Sequence, residues 1–178
     1  MKSLIVAASA VAMASLAPAI AQAQTAPTTG AYINLGAAHA DAGQPNYEIL
    51  QGKLGYRFNA YLGVEGELAT GLKGHDDTLA GVNFHSKLEH EAAIYGVGFL
   101  PVSPNTDLIA RVGYGTTKIK AKAAGVSASD SEESWNFGVG AQHYFDGVNG
   151  VRIDYTHQEF NHNQGNAEVF GVAYTRRF

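Results

Sequence analysis

Three groups of residues carry side-chain types that chemistry uses. Asn83-Phe84-His85-Ser86 sets a hydroxyl beside an imidazole, the pair that serves as nucleophile and base in acyl transfer. His75-Asp76-Asp77, and His157 with His162, supply the nitrogen and oxygen donors that zinc or calcium takes. The stretch Thr117 to Ser134 turns from basic (Lys118, Lys120, Lys122) to acidic (Asp130, Glu132, Glu133), a polarity suited to phosphates or a charged surface. The elements that hold these residues decide what they can do.

Most of those elements have a period of two. Counting back from Phe178 gives Arg176, Tyr174, Val172 and Phe170, the pattern of a strand with one apolar face. Ala31, Ile33, Leu35 and Ala37 share a face of a strand over about 30–38. Leu50, Leu54, Tyr56 and Phe58 oppose Gln51, Lys53 and Arg57 over 49–58. Leu62, Val64 and Leu68 alternate with Gly63, Glu65 and Glu67. A fourth strand, about 87–100, is apolar on both faces near its end, so its phase stays open, and Pro101 to Asp107 reads as a turn. Leu108, Ala110, Val112 and Tyr114 oppose Ile109, Arg111 and Gly113. Trp135, Phe137, Val139 and Ala141 oppose Asn136, Gly138, Gly140 and Gln142. Val151, Ile153 and Tyr155 oppose Arg152, Asp154 and Thr156.

Eight strands result, with short connections after the second, fourth and sixth. Longer ones fall near 39–48, 71–86, 117–134 and 158–166. That alternation belongs to an up-and-down barrel with both termini at one end. A strand that runs to Phe178 must pair, most simply with the first strand, since an open edge invites aggregation.

The faces decide the solvent. Large apolar residues line one face of each strand, and glycine with Lys53, Arg57, Glu65, Glu67, Arg111, Arg152, Asp154 and Arg177 lines the other. Eight strands enclose a space that side chains just fill. Large apolar residues from every strand would crowd it, whereas glycines and ion pairs fit, so the charges belong inside and lipid outside. Five basic against three acidic residues allow most to pair, which makes the lumen a plug before it is a pore. Tyr56, Phe58, Trp135, Phe137, Tyr174 and Phe178 suit interfacial girdles, and Arg176 falls on the lipid face at headgroup depth.

The amino terminus accounts for the location. Lys2, an uncharged run from Leu4 to Ala17 and A-x-A sites ending at Ala21 and Ala23 read as a cleavable signal peptide over 1–23. Removing 23 of 178 residues leaves a 155-residue domain, 24–178, and losing Lys2 takes the net charge from -4 to -5. An acidic balance argues against general nucleic-acid binding. The absence of cysteine excludes a disulfide framework and thiolate chemistry. Twenty-one glycines, nine tyrosines and eight phenylalanines spread through alternating segments complete the profile.

Gly96-Val97-Gly98-Phe99-Leu100-Pro101-Val102-Ser103 and Leu108-Ile109-Ala110-Arg111-Val112-Gly113-Tyr114-Gly115, with the signal peptide and aromatic terminus, resemble the small outer-membrane barrel proteins. These are the OmpA transmembrane domain and the opacity-type surface proteins of Gram-negative bacteria. The resemblance covers the mature chain and implies an all-β, eight-stranded antiparallel transmembrane β-barrel in the outer membrane. It implies that Phe170, Val172, Tyr174 and Phe178 form a terminal signal read by the barrel-assembly machinery. No peptidoglycan-binding domain is expected after the last strand.

Some eight-stranded barrels remodel lipid A, and Asn83-Phe84-His85-Ser86 resembles the His and Ser of the lipid A deacylases. The deacylase pattern separates the two by one residue; here they are adjacent and point to opposite faces unless the strand is bulged. The histidine groups lie in or beside presumed external loops, where solvated polar residues are the plainer reading. The expectation is therefore a structural or surface-interaction barrel, not an enzyme, with no cofactor and no metal. Its partners are outer-membrane lipid, lipopolysaccharide, the assembly machinery and a host or surface ligand on the loops, and not nucleic acid. A narrow pore, a lipid A-modifying enzyme and a soluble periplasmic ligand-binding barrel with inverted faces are the alternatives.

Overall fold

The computed structural model describes residues 29–42, 46–72, 75–79, 82–123, 126–161 and 165–178. The expected signal peptide, with Ala21 and Ala23, and His162 lie outside the described residues. Nine strands follow in order: β1 (Gly30–Asp41), β2 (Asn46–Arg57), β3 (Leu62–Gly71), β4 (His75–Leu79), β5 (Val82–Ser103), β6 (Thr106–Ala123), β7 (Val126–Tyr144), β8 (Asn149–Phe160) and β9 (Asn166–Arg177).

Eight of them close a barrel. β1 pairs with β2 and β9, successive strands pair through β8, and β3 bonds β5 directly, while β4 attaches only to the outer part of β5. All pairings are antiparallel. β1 meets β9 from Tyr32 opposite Arg177 to Asp41 opposite Glu168, so the terminal strand has no open edge. The Phe178 amide itself donates to the Ala31 carbonyl at 2.9 Å.

Strand pairing also sets the shape. Leu72 bonds Glu48, and a path across paired residues from Glu48 through His39, Phe170, Tyr155, Val139, Ala110 and Gly98 returns to β3 at Leu62. The stagger is ten residues (Leu72 to Leu62). With eight strands this tilts them by about 40° from the barrel axis.

The three tight connections lie at the end that holds both termini. Asn59 Oδ1 accepts from the amides of Tyr61 (2.8 Å) and Leu62 (3.0 Å) between β2 and β3. Between β7 and β8, Asp146 accepts from the amides of Val148 (2.9 Å) and Asn149 (2.6 Å), and Gly147 supplies a φ of 80° that a side chain would oppose. The bonds from the Asn149 amide, its side chain and Val148 hold the Asp146 carboxyl down at about 2.

Two expectations are corrected here. The turn read over Pro101–Asp107 is confined to Pro104 and Asn105, because β5 continues to Ser103 and Pro101 stands opposite Asp107. Pro101 fits because β3 has stopped pairing with β5 at Gly98, so no neighbour needs its missing N–H. Among the described residues the segments 71–86 and 117–134 are mostly strand: β4 spans 75–79, and β5, β6 and β7 run on with Phe84 opposite Ala123 and Ala123 opposite Val126. Polar composition reported water around these residues but not their backbone pairing, which each continues with its neighbour.

The result is a four-stranded blade of β4 with the outer parts of β5, β6 and β7, standing beyond the barrel. β8 pairs with β7 only from Ser134 onward, so the outer part of β7 meets β6 alone among the described strands.

Side chains alternate between the two solvents. The outer wall carries Leu35, Leu54, Leu68, Ile94, Val139, Ile153 and Val172, each 56–68% exposed. Along β3 and one residue past it this belt runs from Leu62 to Leu72, about 25 Å along the axis at that tilt. Such a height matches the roughly 25 Å apolar band of a membrane barrel.

Candidate functional site

The lumen concentrates the charge. Arg152 is fully buried; its Nη1 donates to Glu65 Oε2 at 2.6 Å, Nη2 to Glu65 Oε1 at 3.3 Å, and Nε to Asp154 Oδ1 at 2.7 Å. Lys53 donates to Asp154 Oδ2 at 2.7 Å and lies 3.7 Å from Glu67. Arg111 Nη1 reaches Glu67 at 2.5 Å and Glu65 at 3.1 Å, while Nη2 donates to Thr156 at 2.6 Å. The Tyr32 hydroxyl donates to Glu65 Oε2 at 3.1 Å. Strands β1, β2, β3, β6 and β8 thus meet in one ionic cluster.

A second cluster sits toward the turn end. Arg57 forms a two-pronged pair with Asp107 at 2.8 and 3.2 Å, and Gln142 Nε2 donates to the same carboxylate at 2.8 Å. Arg57 also donates to the carbonyls of Asn59 and Ala60, which ties the β2–β3 turn to the lumen.

Of the eight charges picked from the sequence, seven are buried and form these two clusters. Arg177 is set apart: it is half-buried at the turn end with its guanidinium 3.5 Å from the Tyr144 ring centroid.

Asp107 and Glu91 were missed. Glu91 is buried on β5 and accepts from Gln158 at 2.6 Å. With them the inward charges become five basic against five acidic, rather than five against three. Asp107 lies two residues before Ile109 in the pattern already read, but the expected turn hid it. Glu91 lay in the strand of open phase.

That phase is now settled, with large residues inward. Tyr95, Val97 and Phe99 of β5 pack with Tyr32 and Ile109 inside the barrel. Arg111 stacks over Tyr95 at 4.3 Å and Arg57 over Phe99 at 4.2 Å. Small residues on the adjacent strands make the room: a Cβ at Gly113 would come within 2.3 Å of the Ile94 carbonyl and 2.5 Å of the Tyr95 ring, and one at Gly138 within 2.8 Å of Arg111.

The chemistry of this arrangement is charge neutralisation. A buried charge is tolerated when it is paired and hydrogen-bonded, and each of the seven clustered charges has an opposite charge within 3.7 Å. Both amide atoms of Asn34, Gln51 Nε2 and Gln142 Oε1 lack a protein partner. Trapped water satisfies such groups in a lumen.

The remaining candidates sit at the loop end. His157 Nδ1 is 2.7 Å from Glu168, which also accepts from the Tyr155 hydroxyl, and His39 is 2.9 Å from Glu48. Among the described residues no three His, Asp or Glu gather as a metal site. His85 and Ser86 occupy successive rungs opposite Asp76 and His75, and the irregularities in β5 fall at Leu88/His90 and Pro101/Ser103 instead. A regular strand turns successive residues to opposite faces, so the bulge that a nucleophile–base pair requires is not at this position.

On the blade, Lys118, Lys120 and Lys122 stand opposite His90, Lys87 and His85 of β5 and Ser131, Ser129 and Ser127 of β7. Directly opposed residues share a face, so the register sets the basic positions of β5 and β6 on one face of the blade. Phe170, Val172, Tyr174 and Phe178 are all exposed on the outer wall, as are Tyr56, Phe58, Trp135 and Phe137. Arg176 is exposed with its guanidinium 5.6 Å from the Phe178 ring centroid.

The model of the outer membrane protein beta-barrel domain matches residues 6–178. Among solved structures, Ail, the attachment invasion locus protein of Yersinia pestis, in complex with the heparin analogue sucrose octasulfate, is similar at 19% identity and TM-score 0.60, covering 84% of this chain and 97% of that one. The N-terminal β-barrel domain of Pseudomonas aeruginosa OprF is similar at 13% identity and TM-score 0.59, with 83% and 98% covered. Neisserial surface protein A is similar at 8% identity and TM-score 0.57, with 87% and 100% covered. These identities speak for the fold alone. No curated protein matches the sequence.

Proposed function

Since this chain belongs to the outer membrane protein beta-barrel domain family and resides in the outer membrane, we propose a non-catalytic role: a plugged barrel that carries an anion-binding blade on the cell surface. The observation that carries this reading is the strand register that sets Lys118, Lys120 and Lys122 opposite His90, Lys87 and His85, a patch of basic positions on one face. Alternate residues on β6 are about 6.8 Å apart, so the patch offers a regular row of cations to a polymer that repeats its negative charge. Sulfated polysaccharides and the phosphorylated core of lipopolysaccharide have that chemistry. Ail, similar in fold, was crystallised with a heparin analogue, which supports the same ligand class here.

The other assignments follow from the same reading. The turn end faces the periplasm. Residues 1–23 are the export signal, cleaved after Ala21 or Ala23, and Phe170, Val172, Tyr174 and Phe178 are the terminal signal offered to the assembly machinery. The ionic clusters around Lys53, Arg57, Glu65, Glu67, Arg111, Arg152 and Asp154 hold the lumen shut.

Retention on immobilised heparin tests the proposal. The folded protein should elute only with added salt, because exposed charge contacts are screened by it. Lys120→Glu with Lys122→Glu should abolish retention while the boiled-versus-unboiled gel shift persists. Retention unchanged by the double substitution would refute the assignment of the patch.

A further inference from the structure

The lumen carries an unbalanced negative charge at its outer end. Lys53, Arg111 and Arg152 meet Glu65, Glu67 and Asp154, three charges against three, and Arg57 meets Asp107. The fifth base, Arg177, sits on Tyr144 at the turn end. The fifth acid, Glu91, is 4% exposed at the opposite end. Among the described residues its hydrogen bond comes from a neutral amide, Gln158 Nε2, at 2.6 Å. A buried carboxylate without a counter-charge is costly.

The charged groups that reach Glu91 through space are Glu67, Arg111 and Lys53. Both cations are committed elsewhere. Arg111 donates to Glu65, Glu67 and Thr156, and Lys53 donates to Asp154.

Glu91 stands where the barrel opens to the outside. It lies opposite Ala69 on the last rung between β3 and β5, and opposite Thr117 of β6. Just beyond, β5 bulges between Leu88 and His90, and bulges re-aim side chains beside sites. Among the described residues the other strands bring no cation to this mouth. β1, β2, β3 and β9 line it with one apolar cluster of Ala38, Ala40, Tyr47, Ile49, Ala69 and Val169. β8 brings Gln158, and β7 brings Ser134, whose hydroxyl donates to Asn136 Oδ1 at 2.8 Å. Thr117 is 2% exposed, and its hydroxyl has no hydrogen-bond partner among the described residues. Directly opposed residues share a face, so an uncompensated carboxylate and an unused hydroxyl lie side by side.

We propose that the outer mouth of the lumen binds one alkali-metal cation, held by the Glu91 carboxylate and the Thr117 hydroxyl and completed by water. Hard cations take oxygen donors of these kinds. A single positive charge brings the outer lumen to neutrality, whereas a divalent ion would overshoot it. Gln158 fixes the carboxylate from across the lumen, since β6 and β7 separate β8 from β5. The cation completes the plug on its external side. This site goes beyond the anion-binding blade and does not depend on it.

Urea-dependent unfolding of the full chain in phosphatidylcholine vesicles tests it, with sodium chloride exchanged for choline chloride at constant ionic strength so that screening is unchanged. Sodium at about ten times its dissociation constant should shift the wild-type equilibrium toward the folded state about tenfold. Glu91→Gln, which keeps the side chain's size, should abolish the sodium response. Thr117→Val should require several-fold more sodium for the same shift, and it carries the test if Glu91→Gln fails to fold. Crystals soaked in thallium(I) nitrate, whose anomalous signal marks alkali-cation sites, should show a peak between Glu91 and Thr117.

Indistinguishable unfolding in sodium and choline would overturn the proposal. So would a sodium response that Glu91→Gln retains, since the ion would then act elsewhere. A protonated-carboxyl infrared band that Glu91→Gln removes would overturn it too, because a proton would then balance the charge. Heparin retention should be the same in wild type and both variants, so failure of this site is distinguishable from failure of the blade.

Discussion

Glu65 is the residue whose loss the structure makes most costly. It is fully buried and accepts from Arg152 twice (2.6 and 3.3 Å), from Arg111 (3.1 Å) and from the Tyr32 hydroxyl (3.1 Å). Glu65→Ala removes the carboxylate that two buried guanidinium groups share. Removing one partner of a buried pair costs about 3–5 kcal/mol, and stranding a buried hydroxyl adds about 1–3 kcal/mol. Arg152 would keep Asp154 and Arg111 would keep Glu67, so a loss of about 4 kcal/mol is expected, toward the low end of these combined ranges.

Reversible urea-dependent folding into phospholipid vesicles, read by tryptophan fluorescence and gel shift, measures that loss. Arg152→Met should cost a similar amount. The double variant should fall short of the sum by about 2 kcal/mol, since neighbours in one network are coupled by about 0.5–3 kcal/mol. Lys53 at 2.7 Å would still hold Asp154 in the double variant. A Glu65→Ala loss under about 1 kcal/mol without coupling to Arg152 would refute the reasoning, since pairs exposed to water are worth only about that much.

The remaining predictions concern space, the turn end and assembly. Gly113→Val should prevent the heat-modifiable form, because its Cβ would lie 2.3 Å from the Ile94 carbonyl, whereas Gly96→Ala, with nothing closer than 3.9 Å, should fold normally. Asp146 is held at about 2 in the folded turn against its usual 3.8, so it stabilises the fold above the higher value. That contribution is lost as pH falls through the lower one, and the stability gap between wild type and Asp146→Asn should close between about pH 4 and pH 2. Phe178→Ala should lower the folded protein in purified outer membranes several-fold while leaving refolding in detergent intact; equal losses in both would make Phe178 a packing residue rather than a signal.

The outward faces were legible wherever glycine or charge alternates with a large apolar side chain, as from Gly63 to Leu68 and from Val151 to Thr156. There the two faces of a strand meet solvents of opposite polarity, and each residue reports its own side. β5 was not legible, because Ile94 and Leu100 face outward while Tyr95, Val97 and Phe99 face inward. Large inward residues are permitted there by small ones on the adjacent strands, Gly113 and Gly138 among them, and a local pattern carries no information about which residues a partner strand sets beside it.

The pairing of charges was half legible for the same reason. Lys53, Arg111 and Arg152 announce an interior that must be neutralised, but Asp154, Glu65 and Glu67 become their partners only after strands distant in sequence are joined. The outer hairpins were least visible. In Thr117 to Ser134 Lys118, Lys120 and Lys122 alternate with Ile119, Ala121 and Ala123, a period of two that the concentration of charged and small residues disguised as a loop.

The central claim is that lipid lies on one face of these strands and a charge-filled lumen on the other. The chain has no cysteine, so single cysteines placed along β3 from Gly63 to Ala69 can each carry a fluorophore in vesicles containing nitroxide-labelled lipid. The account predicts strong quenching at Val64, Gly66 and Leu68 and weak quenching at Gly63, Glu65, Glu67 and Ala69. Quenching in the opposite phase, or none with a period of two, would contradict it.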